Sequence, residues 1–277
     1  MKKMIPALMT LTTLTSTVAC AGRVPAAASA TLQTATHTAS EAGFMVNSHL
    51  IYGESEALLV DAQFTRSEAT QVVEMVRASG RKLKTIFITH GHPDHYLGLE
   101  VISREFPQAR ILARPSVIAD IQKTAPGKLE YWKPIYKDDL ADSYVLPQAF
   151  TGSSLSVDGQ KVELIDLPEP GESENATALY VPSTGALVTG DLAYNDVHLW
   201  LVENHAQGWL KNLDTVAPLK ARQILPGHGS NSDASLLDSD RKYIENFVSG
   251  KSKDEMLATY PEFKLPVILE LSIGARK

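Results

Sequence analysis

Cysteine is almost absent from this chain of 277 residues, in which Cys20 is the only one. No disulfide can form within one chain, and past its N-terminal segment the protein has no thiolate with which to bind a metal ion. Basic residues are also in the minority, because 26 Lys and Arg face 32 Asp and Glu and give a net charge of −6. This acidic balance leaves no electrostatic footprint for nucleic acid, so we expect no nucleic-acid partner.

The first 30 residues have the pattern of a secretory signal peptide. Two lysines precede a moderately apolar run over residues 4–19, and small residues at alternate positions offer cleavage sites near 19–30. The run is too short and too rich in threonine for a membrane span. We predict a signal peptide over residues 1–30 and a periplasmic or secreted mature protein. Cys20 is either removed with the signal or carries a lipid anchor.

The rest of the chain has the balance of a globular protein, with 44% hydrophobic and 21% charged residues in the whole sequence. Its length suffices for one large domain, which we predict over residues 31–277. Apolar runs of strand length alternate with helical patterns, and the pair Asp158-Gly159 predicts a tight hairpin turn. This mixture predicts sheets covered by helices.

Two helix predictions have clear boundaries. Thr65 and Glu68 have the spacing of a capping box and begin a helix predicted over residues 65–79. A proline near its first turn begins a helix predicted over residues 115–123. The following stretch, residues 126–150, has the character of an aromatic-rich insertion, which either walls a substrate pocket or covers the sheet.

Histidine is scarce, yet three of the eight histidines fall in the run His-Gly-His-Pro-Asp-His at residues 90–95. This run follows the apolar residues 85–89, which predict a buried strand. Imidazole and carboxylate groups are usual ligands of zinc and neighbouring metals. Because rigid scaffolds hold functional groups in loops after strand ends, we predict a metal centre here.

Three further groups of ligand type follow predicted strands later in the chain. Asp191 comes after the apolar run 186–190, and His228 comes after residues 224–227. Glu172 lies between the motif and Asp191, in a Pro-Gly-Glu-Ser stretch. Flanking glycines let the backbone approach closely at each position. The sequence therefore predicts that several elements contribute to one centre.

With these residues the chain resembles the metallo-β-lactamase-fold hydrolase superfamily over about residues 42–250. The His-x-His-x-Asp-His motif of that family is present in full at residues 90–95. The bridging aspartate of the family matches Asp191, and its late Gly-His matches His228. The resemblance implies an α/β fold, in the form of a four-layer αββα sandwich in a single domain.

The resemblance also implies a dinuclear centre, with zinc as the expected metal and iron or manganese as alternatives. It assigns three ligands to each metal and one carboxylate between them: His90, His92 and Glu172; Asp94, His95 and His228; and Asp191. A hydroxide between the metals would be the nucleophile, because bound cations lower the pKa of water to about 7 in favourable zinc sites.

Two residues are expected to act in catalysis. Asp94 would orient the nucleophile and pass a proton to the leaving group. Tyr194 lies three residues after Asp191, where the acyl-homoserine lactonases of this superfamily have a tyrosine that contacts the substrate carbonyl. The alternative for Tyr194 is a packing role.

Glu172 departs from the family pattern, which has a histidine at this place. Three interpretations remain open at the level of sequence. Glu172 itself binds the first metal, since a carboxylate oxygen is an acceptable ligand, and such a harder site would favour iron or manganese over zinc. Alternatively, the first site is weak or empty. In the third interpretation another side chain takes its place, with four candidates: Glu169, Glu174, His198 and His205.

The expected function is that of an exported metal-dependent hydrolase that cleaves an ester-type bond, such as a lactone or thioester, in a small molecule. Asp191 and Tyr194 favour this interpretation over a β-lactamase. The alternatives are a β-lactamase or lactamase-like amide hydrolase, a phosphodiesterase or sulfatase, and a metal-binding protein without turnover. The sequence does not determine the oligomeric state.

Overall fold

The computed structural model describes Met1 and residues 31–276, so the predicted signal peptide and Cys20 lie outside the described residues, apart from Met1. The described chain contains the following strands: β1 Gln33–Thr38, β2 Asn47–Tyr52, β3 Glu56–Val60, β4 Lys82–Ile88, β5 Arg110–Ala113, β6 Gln148–Ala149, β7 Ser154–Val157, β8 Gln160–Leu167, β9 Ala176–Val181, β10 Ala186–Asn195 and β11 Gln223–Gly229. It contains the following helices: α1 Arg66–Ala78, α2 Pro93–Tyr96, α3 Leu99–Glu105, α4 Pro115–Tyr136, α5 Ala206–Val216, α6 Ser235–Val248, α7 Lys253–Thr259 and α8 Pro266–Ala275.

The strands form two sheets. The first has the order β1-β2-β3-β4-β5-β6, and the second has the order β11-β10-β9-β8-β7. Strands β3 to β6 run parallel to one another, as do β10 and β11, whereas the other neighbouring strands are antiparallel. The parallel strands therefore deliver their carboxyl ends to common sheet edges, where loops can carry functional groups.

The two sheets pack face to face, and helices cover both outer faces. In β3, Leu59 points into the core shared with α1 and α3, whereas Leu58 and Val60 point into the core between the sheets. In β10, Val188 packs between the sheets, and Leu187 packs against α5 and α6. This alternation follows from the period of two of a strand. It gives four layers, which confirms the predicted αββα sandwich.

The predicted hairpin turn at Asp158-Gly159 is confirmed. Both residues have positive φ angles, of 48° and 74°, and Val157 pairs with Gln160. A two-residue turn of this kind needs positive φ at both positions, which aspartate tolerates and glycine adopts without steric cost.

The predicted limits of α1 are confirmed to within one residue, but only one of the two hydrogen bonds of the predicted capping box forms. The Thr65 hydroxyl accepts a hydrogen bond from the Glu68 N–H at 3.3 Å. The Glu68 carboxylate does not return to Thr65, because it accepts hydrogen bonds from the N–H and hydroxyl of Ser40 instead. It also contacts His37 Nε2 at 2.8 Å, so Glu68 holds the segment after β1 against α1.

The limits predicted for α4 were wrong. The helix continues through Pro126 and Pro134 to Tyr136, so half of the predicted insertion is helical. An apolar stripe at helical spacing continues past the first proline, from Ile121 to Leu129 and Trp132, and packs on the core. The burial of this stripe outweighs the helix-breaking tendency of proline. No helix among residues 31–276 is both long and apolar enough to cross a bilayer.

Candidate metal centre

Four elements bring the predicted ligands to one edge of the sandwich. The His-x-His-x-Asp-His run begins two residues after β4 and continues into α2, which Pro93 begins. Glu172 lies in the loop between β8 and β9. Asp191 and His228 lie inside β10 and β11, so the prediction that both follow strand ends was wrong. The register of β10 against β11 shifts on both sides of Gly190, and such irregularities re-aim side chains within a strand.

The first cluster consists of His90, His92, Glu172 and Asp191, whose ligand atoms all lie within 4.8 Å of one another. His92 Nδ1 lies 2.7 Å from Glu172 Oε1. His90 Nε2 lies 3.5 Å from Glu172 Oε2 and 3.7 Å from Asp191 Oδ2. All but His92 are buried, so the cluster has the donor set and the enclosure of a metal site.

The second cluster consists of Asp94, His95 and His228, again within 4.8 Å. Asp94 Oδ2 lies 3.7 Å from His95 Nε2 and 3.5 Å from His228 Nε2. Asp191 also reaches this cluster, because Oδ1 lies 3.1 Å from His95 Nε2 and Oδ2 lies 3.1 Å from His228 Nε2. Asp191 thus lies between the two clusters, where the resemblance places a bridging ligand.

Close backbone approach at Gly227 makes this placement of Asp191 feasible. A Cβ atom at Gly227 would collide with Asp191 Oδ1 and with the backbone of Gly190. Only glycine therefore lets β11 pass this close to the carboxylate.

Hydrogen bonds to the far ring nitrogens orient three of the histidines. His95 Nδ1 donates to Asp61 Oδ2 at 2.8 Å, and His228 Nδ1 donates to the carbonyl of Phe44 at 2.7 Å. The Thr89 hydroxyl donates to Asp61 Oδ2, so it accepts from His90 Nδ1 at 3.0 Å. In the neutral ring, a proton on Nδ1 leaves the lone pair on Nε2, which points into the site in all three cases.

Buried polar atoms without partners test whether the residues fit a metal. Among the described residues, no hydrogen-bond partner exists for His90 Nε2, His95 Nε2, Glu172 Oε2 or Asp191 Oδ1, all of which are buried. His95 Nε2 and Asp191 Oδ1 lie close together, but they are not aligned as a hydrogen bond. Unpaired buried groups of this kind are costly unless a cation satisfies them. The residues present fit a divalent metal.

Electrostatics determine which ligands already have the protonation state that a metal needs. Burial alone would raise the pKa of Asp191, but His228, His95 and His90 outweigh it and hold the pKa well below its usual range. Burial lowers the pKa of His90 well below its usual value, with nearby histidines adding to the effect. Burial raises the pKa of Glu172 to about 7. Ionised Asp191 and neutral His90 are the protonation states that metal ligands need. The nearby carboxylates outweigh burial and raise the pKa values of the other three histidines, so a metal would displace their protons on binding.

Tyr194 belongs to the site. Its hydroxyl donates to Asp191 Oδ2 at 2.6 Å and lies 3.4 Å from Glu172 Oε1. Its ring is stacked on His228, with centroids 4.6 Å apart and an interplanar angle of 6°. Strand pairing explains the stacking, because Tyr194 and His228 are partners in the β10–β11 register.

The four alternative ligands proposed in place of Glu172 lie outside both clusters. His198 Nδ1 contacts the Tyr243 hydroxyl at 2.8 Å, and Glu169 pairs with Lys211 at 3.2 Å. Glu174 is exposed, and His205 lines a separate cavity. The structure therefore brings Glu172, and none of these four, to the other ligands.

Asp61 is the functional residue that sequence reasoning missed. It is buried, with a positive φ of 61°, and it accepts from the backbone N–H and the hydroxyl of Thr89 as well as from His95. The sequence does show an aspartate directly after the apolar run of β3, the strand that pairs with β4 in the sheet. The pattern did not show that this carboxylate reaches a ligand 34 residues away.

Comparisons with known proteins agree with this architecture. The uncharacterized protein YobT of Bacillus subtilis (strain 168) is 27% identical over 151 residues, which are 53% of this chain and 62% of that protein. The chain thus spans less than two thirds of that relative. A metallo-beta-lactamase from Pontibacter korlensis superimposes with a TM-score of 0.59 at 19% identity, over 80% of this chain and 98% of that one. A metallo-beta-lactamase family protein from Thermus thermophilus does so with a TM-score of 0.60 at 20% identity, over 86% of this chain and 91% of that one.

The structural likeness at these identities establishes the fold. The sequence model of the metallo-beta-lactamase superfamily matches residues 42–228 of this chain. The matched region includes every predicted ligand from His90 to His228. The chain belongs to the metallo-beta-lactamase superfamily.

Proposed function

We propose that this protein is a metal-dependent hydrolase that cleaves an ester-type bond, such as that of a lactone or thioester, in a small molecule. The position of Asp191 is the observation that carries the proposal. Its two carboxylate oxygens each lie 3.1 Å from an imidazole nitrogen of the second cluster, and it is also part of the first. A carboxylate shared in this way suits a dinuclear centre.

Seven residues would hold the metals, divided as the two clusters are: His90, His92 and Glu172; Asp94, His95 and His228; and Asp191 between them. When bound, the metals supply positive charge that ionises water near neutral pH and polarises a carbonyl oxygen.

The chain's own residues supply orientation and proton transfer. Asp61 and the Phe44 carbonyl fix His95 and His228 with Nε2 facing the site. The Asp94 side chain is 14% exposed, against 4% for Asp191, so it is the more accessible carboxylate for proton transfer to a leaving group. The Tyr194 hydroxyl is a donor that can turn from Asp191 toward a substrate carbonyl.

Tyr194 and the lack of a described Lys or Arg beside the ligand carboxylates favour an ester over a β-lactam. Among the described residues, no Lys or Arg lies within ion-pair distance of Asp94, Glu172 or Asp191. A β-lactam antibiotic carries a carboxylate that such a cation would bind. A neutral lactone or thioester needs no such partner.

Metal content tests the proposal. Elemental analysis of the wild type should give about two metals per chain, and His92→Ala should lower this to about one because the first cluster loses a ligand. His37→Ala is the matched control, since His37 lies outside both clusters and pairs with Glu68. An unchanged value of one metal in the wild type and His92→Ala would contradict the dinuclear centre.

Hydrolysis assays test the substrate class. Purified wild type should cleave a neutral lactone or thioester faster than a β-lactam or a phosphodiester, and His92→Ala should lose this activity. Faster cleavage of the lactam would overturn the assignment to esters while leaving the metal centre intact. Full metal content without turnover of any of the four would overturn the proposal of a hydrolase.

A further inference from the structure

The strand that carries Asp191 bulges at the metal centre. From Gly190 to Tyr194, a stretch that is called the β10 bulge below, β10 advances four residues. The paired stretch of β11, from Pro226 to His228, advances two. In the described chain, the pairing of β10 with β9 on its other side ends before this bulge. Buried backbone groups of the bulge therefore need hydrogen-bond partners other than a neighbouring strand.

Two helices that pack on this sheet supply such partners. The Asp240 Oδ2 atom, in α6, accepts a hydrogen bond from the backbone N–H of Tyr194 at 3.0 Å. The indole Nε1 of Trp209, in α5, donates to the carbonyl of Leu192 at 2.9 Å. Both helix residues are 1% exposed, so water does not compete for these contacts. The β10 bulge is thus held by side chains.

Packing alone does not account for an acid at position 240. The other buried residues of α6 form its core-facing stripe, and they are Leu236, Tyr243, Ile244 and Phe247. A carboxyl group in such a stripe loses its hydration, and this burial raises the pKa of Asp240 well above its usual range. An apolar side chain would be buried there at lower cost. The acid therefore indicates a role in holding the β10 bulge.

The β10 bulge also determines where the Tyr194 side chain lies. The ring contacts His228, with centroids 4.6 Å apart, and Trp209, with centroids 6.0 Å apart. From this position the hydroxyl donates to Asp191 Oδ2 at 2.6 Å. Because a tyrosine side chain is rigid and has few rotatable bonds, a shift of its backbone moves the hydroxyl with it.

We propose that Asp240 is a positioning residue, which together with Trp209 holds the β10 bulge so that the Tyr194 hydroxyl stays in place at the metal centre. This inference rests on the proposed function, in which that hydroxyl donates to the substrate carbonyl. Neither Asp240 nor Trp209 belongs to a ligand cluster, so both act through the backbone of β10.

Hydrolysis of dihydrocoumarin, a neutral lactone, by the metal-loaded full chain tests this role. Asp240→Leu removes the acceptor and keeps a branched side chain of similar size, so kcat should fall roughly tenfold while KM stays unchanged. Asp240→Asn keeps an oxygen acceptor and should restore most of the lost kcat. Asp238→Leu is the matched control, because Asp238 is exposed on the same helix.

A double-mutant cycle distinguishes positioning from a general loss of stability. In Tyr194→Phe the hydroxyl is already gone, so adding Asp240→Leu should cause no further loss of kcat. Trp209→Phe keeps a buried ring and removes the donor to Leu192, and its effect should resemble that of Asp240→Leu. It replaces that variant if the leucine prevents folding.

The visible absorption spectrum of the cobalt(II)-loaded protein gives a readout that needs no turnover. The spectrum reports on the ligand carboxylate to which the Tyr194 hydroxyl donates. Asp240→Leu should change the spectrum in the same direction as Tyr194→Phe, and Asp240→Asn should keep the wild-type spectrum.

Two results would overturn the inference. One is a pair of kcat losses that multiply in the double variant, and the other is a wild-type spectrum in Asp240→Leu. If the wild type binds metal but cleaves neither lactone nor thioester, the proposed hydrolase fails, and the cobalt spectra still decide the role of Asp240.

Discussion

Glu172 places a carboxylate where the family pattern has an imidazole, and its neighbours show what this changes. Its Oε1 is 2.7 Å from His92 Nδ1, and the Tyr194 hydroxyl lies 3.4 Å from the same oxygen. The carboxylate makes the first cluster more anionic, with Asp191 as its second acid. Anionic oxygen ligands favour harder metals such as iron or manganese.

Exchange of Glu172 for histidine should therefore change metal preference and not metal number. We expect Glu172→His to retain about two metals per chain and to shift the bound metal toward zinc, because imidazole is the softer ligand. Elemental analysis after exposure to equimolar zinc, iron and manganese measures this. A rise from one metal in the wild type to two in the variant would mean that Glu172 is not a ligand.

Removal of the Tyr194 hydroxyl should slow catalysis without emptying the site. Tyr194→Phe retains the ring stacked on His228 and loses only the donor to Asp191. If the donor stabilises developing charge on the substrate, kcat should fall roughly 100-fold. Metal content should stay at the wild-type value. Unchanged kcat would assign Tyr194 to packing.

Asp61 should control metal affinity from outside the ligand set. Asp61→Asn keeps the size of the side chain but weakens its acceptor contacts with His95 Nδ1 and Thr89. Loss of such an orienting carboxylate typically lowers metal affinity about 10- to 100-fold. Competition with a chromophoric chelator measures the affinity. The exposed Asp254→Asn is the control, and equal affinity in both variants would contradict this role.

The sequence predicted the members of the site better than their support. The imidazoles of residues 90–95 could be recognised because short spacing is visible in the chain. Asp61 could not, since its role depends on the pairing of β3 with β4. The placement of Asp191 inside β10 depended on register shifts, which no local pattern encodes.

Among the elements, α4 and α1 show which local signals decide a boundary. Helix α4 continues past its internal prolines because Leu129 and Trp132 extend one helical face that packs on the core. In α1 the Thr65 cap marks the start of the helix as predicted. The Glu68 carboxylate, which a capping box would pair with Thr65, instead accepts a hydrogen bond from the distant Ser40. Local patterns were thus reliable where no tertiary contact competed with them.

The cap of α1 can be tested by substitution. Thr65→Ala removes the acceptor for the Glu68 N–H and should lower the free energy of unfolding by about 1 kcal/mol. Thr70→Ala is the matched control, because Thr70 lies exposed in the interior of the same helix. Urea denaturation compares the two. Equal stability of both variants would show that the cap contributes nothing.

At the scale of the whole molecule, a buried histidine should link folding to pH. Burial lowers the pKa of His198 from 6.5 to about 4, and its Nδ1 contacts the Tyr243 hydroxyl. Between these pH values the unfolded chain binds a proton that the folded chain does not, so stability falls as the pH drops from about 6.5 to 4. The loss is about 3 kcal/mol at most.

A variant isolates this contribution. His198→Phe keeps a buried ring and removes the titration, so its free energy of unfolding should fall less steeply than that of the wild type over the same pH range. Urea denaturation at several pH values provides the comparison. Parallel curves for the two proteins would show that His198 is not responsible.

The sandwich itself was predictable because apolar strands of period two and covering helices have few ways to pack. The composition could not show which hydrogen bond connects the two sheets at the site. The backbone N–H of Thr177, in the second sheet, donates to the carbonyl of Thr89 at the end of the first, at 3.0 Å. Ligands from both sheets meet beside this hydrogen bond.

The spread of the ligands along the chain gives a metal here a mechanical role. A metal bound by both His95 and His228 would close a loop that includes about half of the polypeptide, as a disulfide does in many secreted proteins. Cross-links over loops of this length restrict the unfolded chain by about 5 kcal/mol in the chain-entropy description. In a protein whose single cysteine rules out such a bond, the bound ions would serve as its reversible staples.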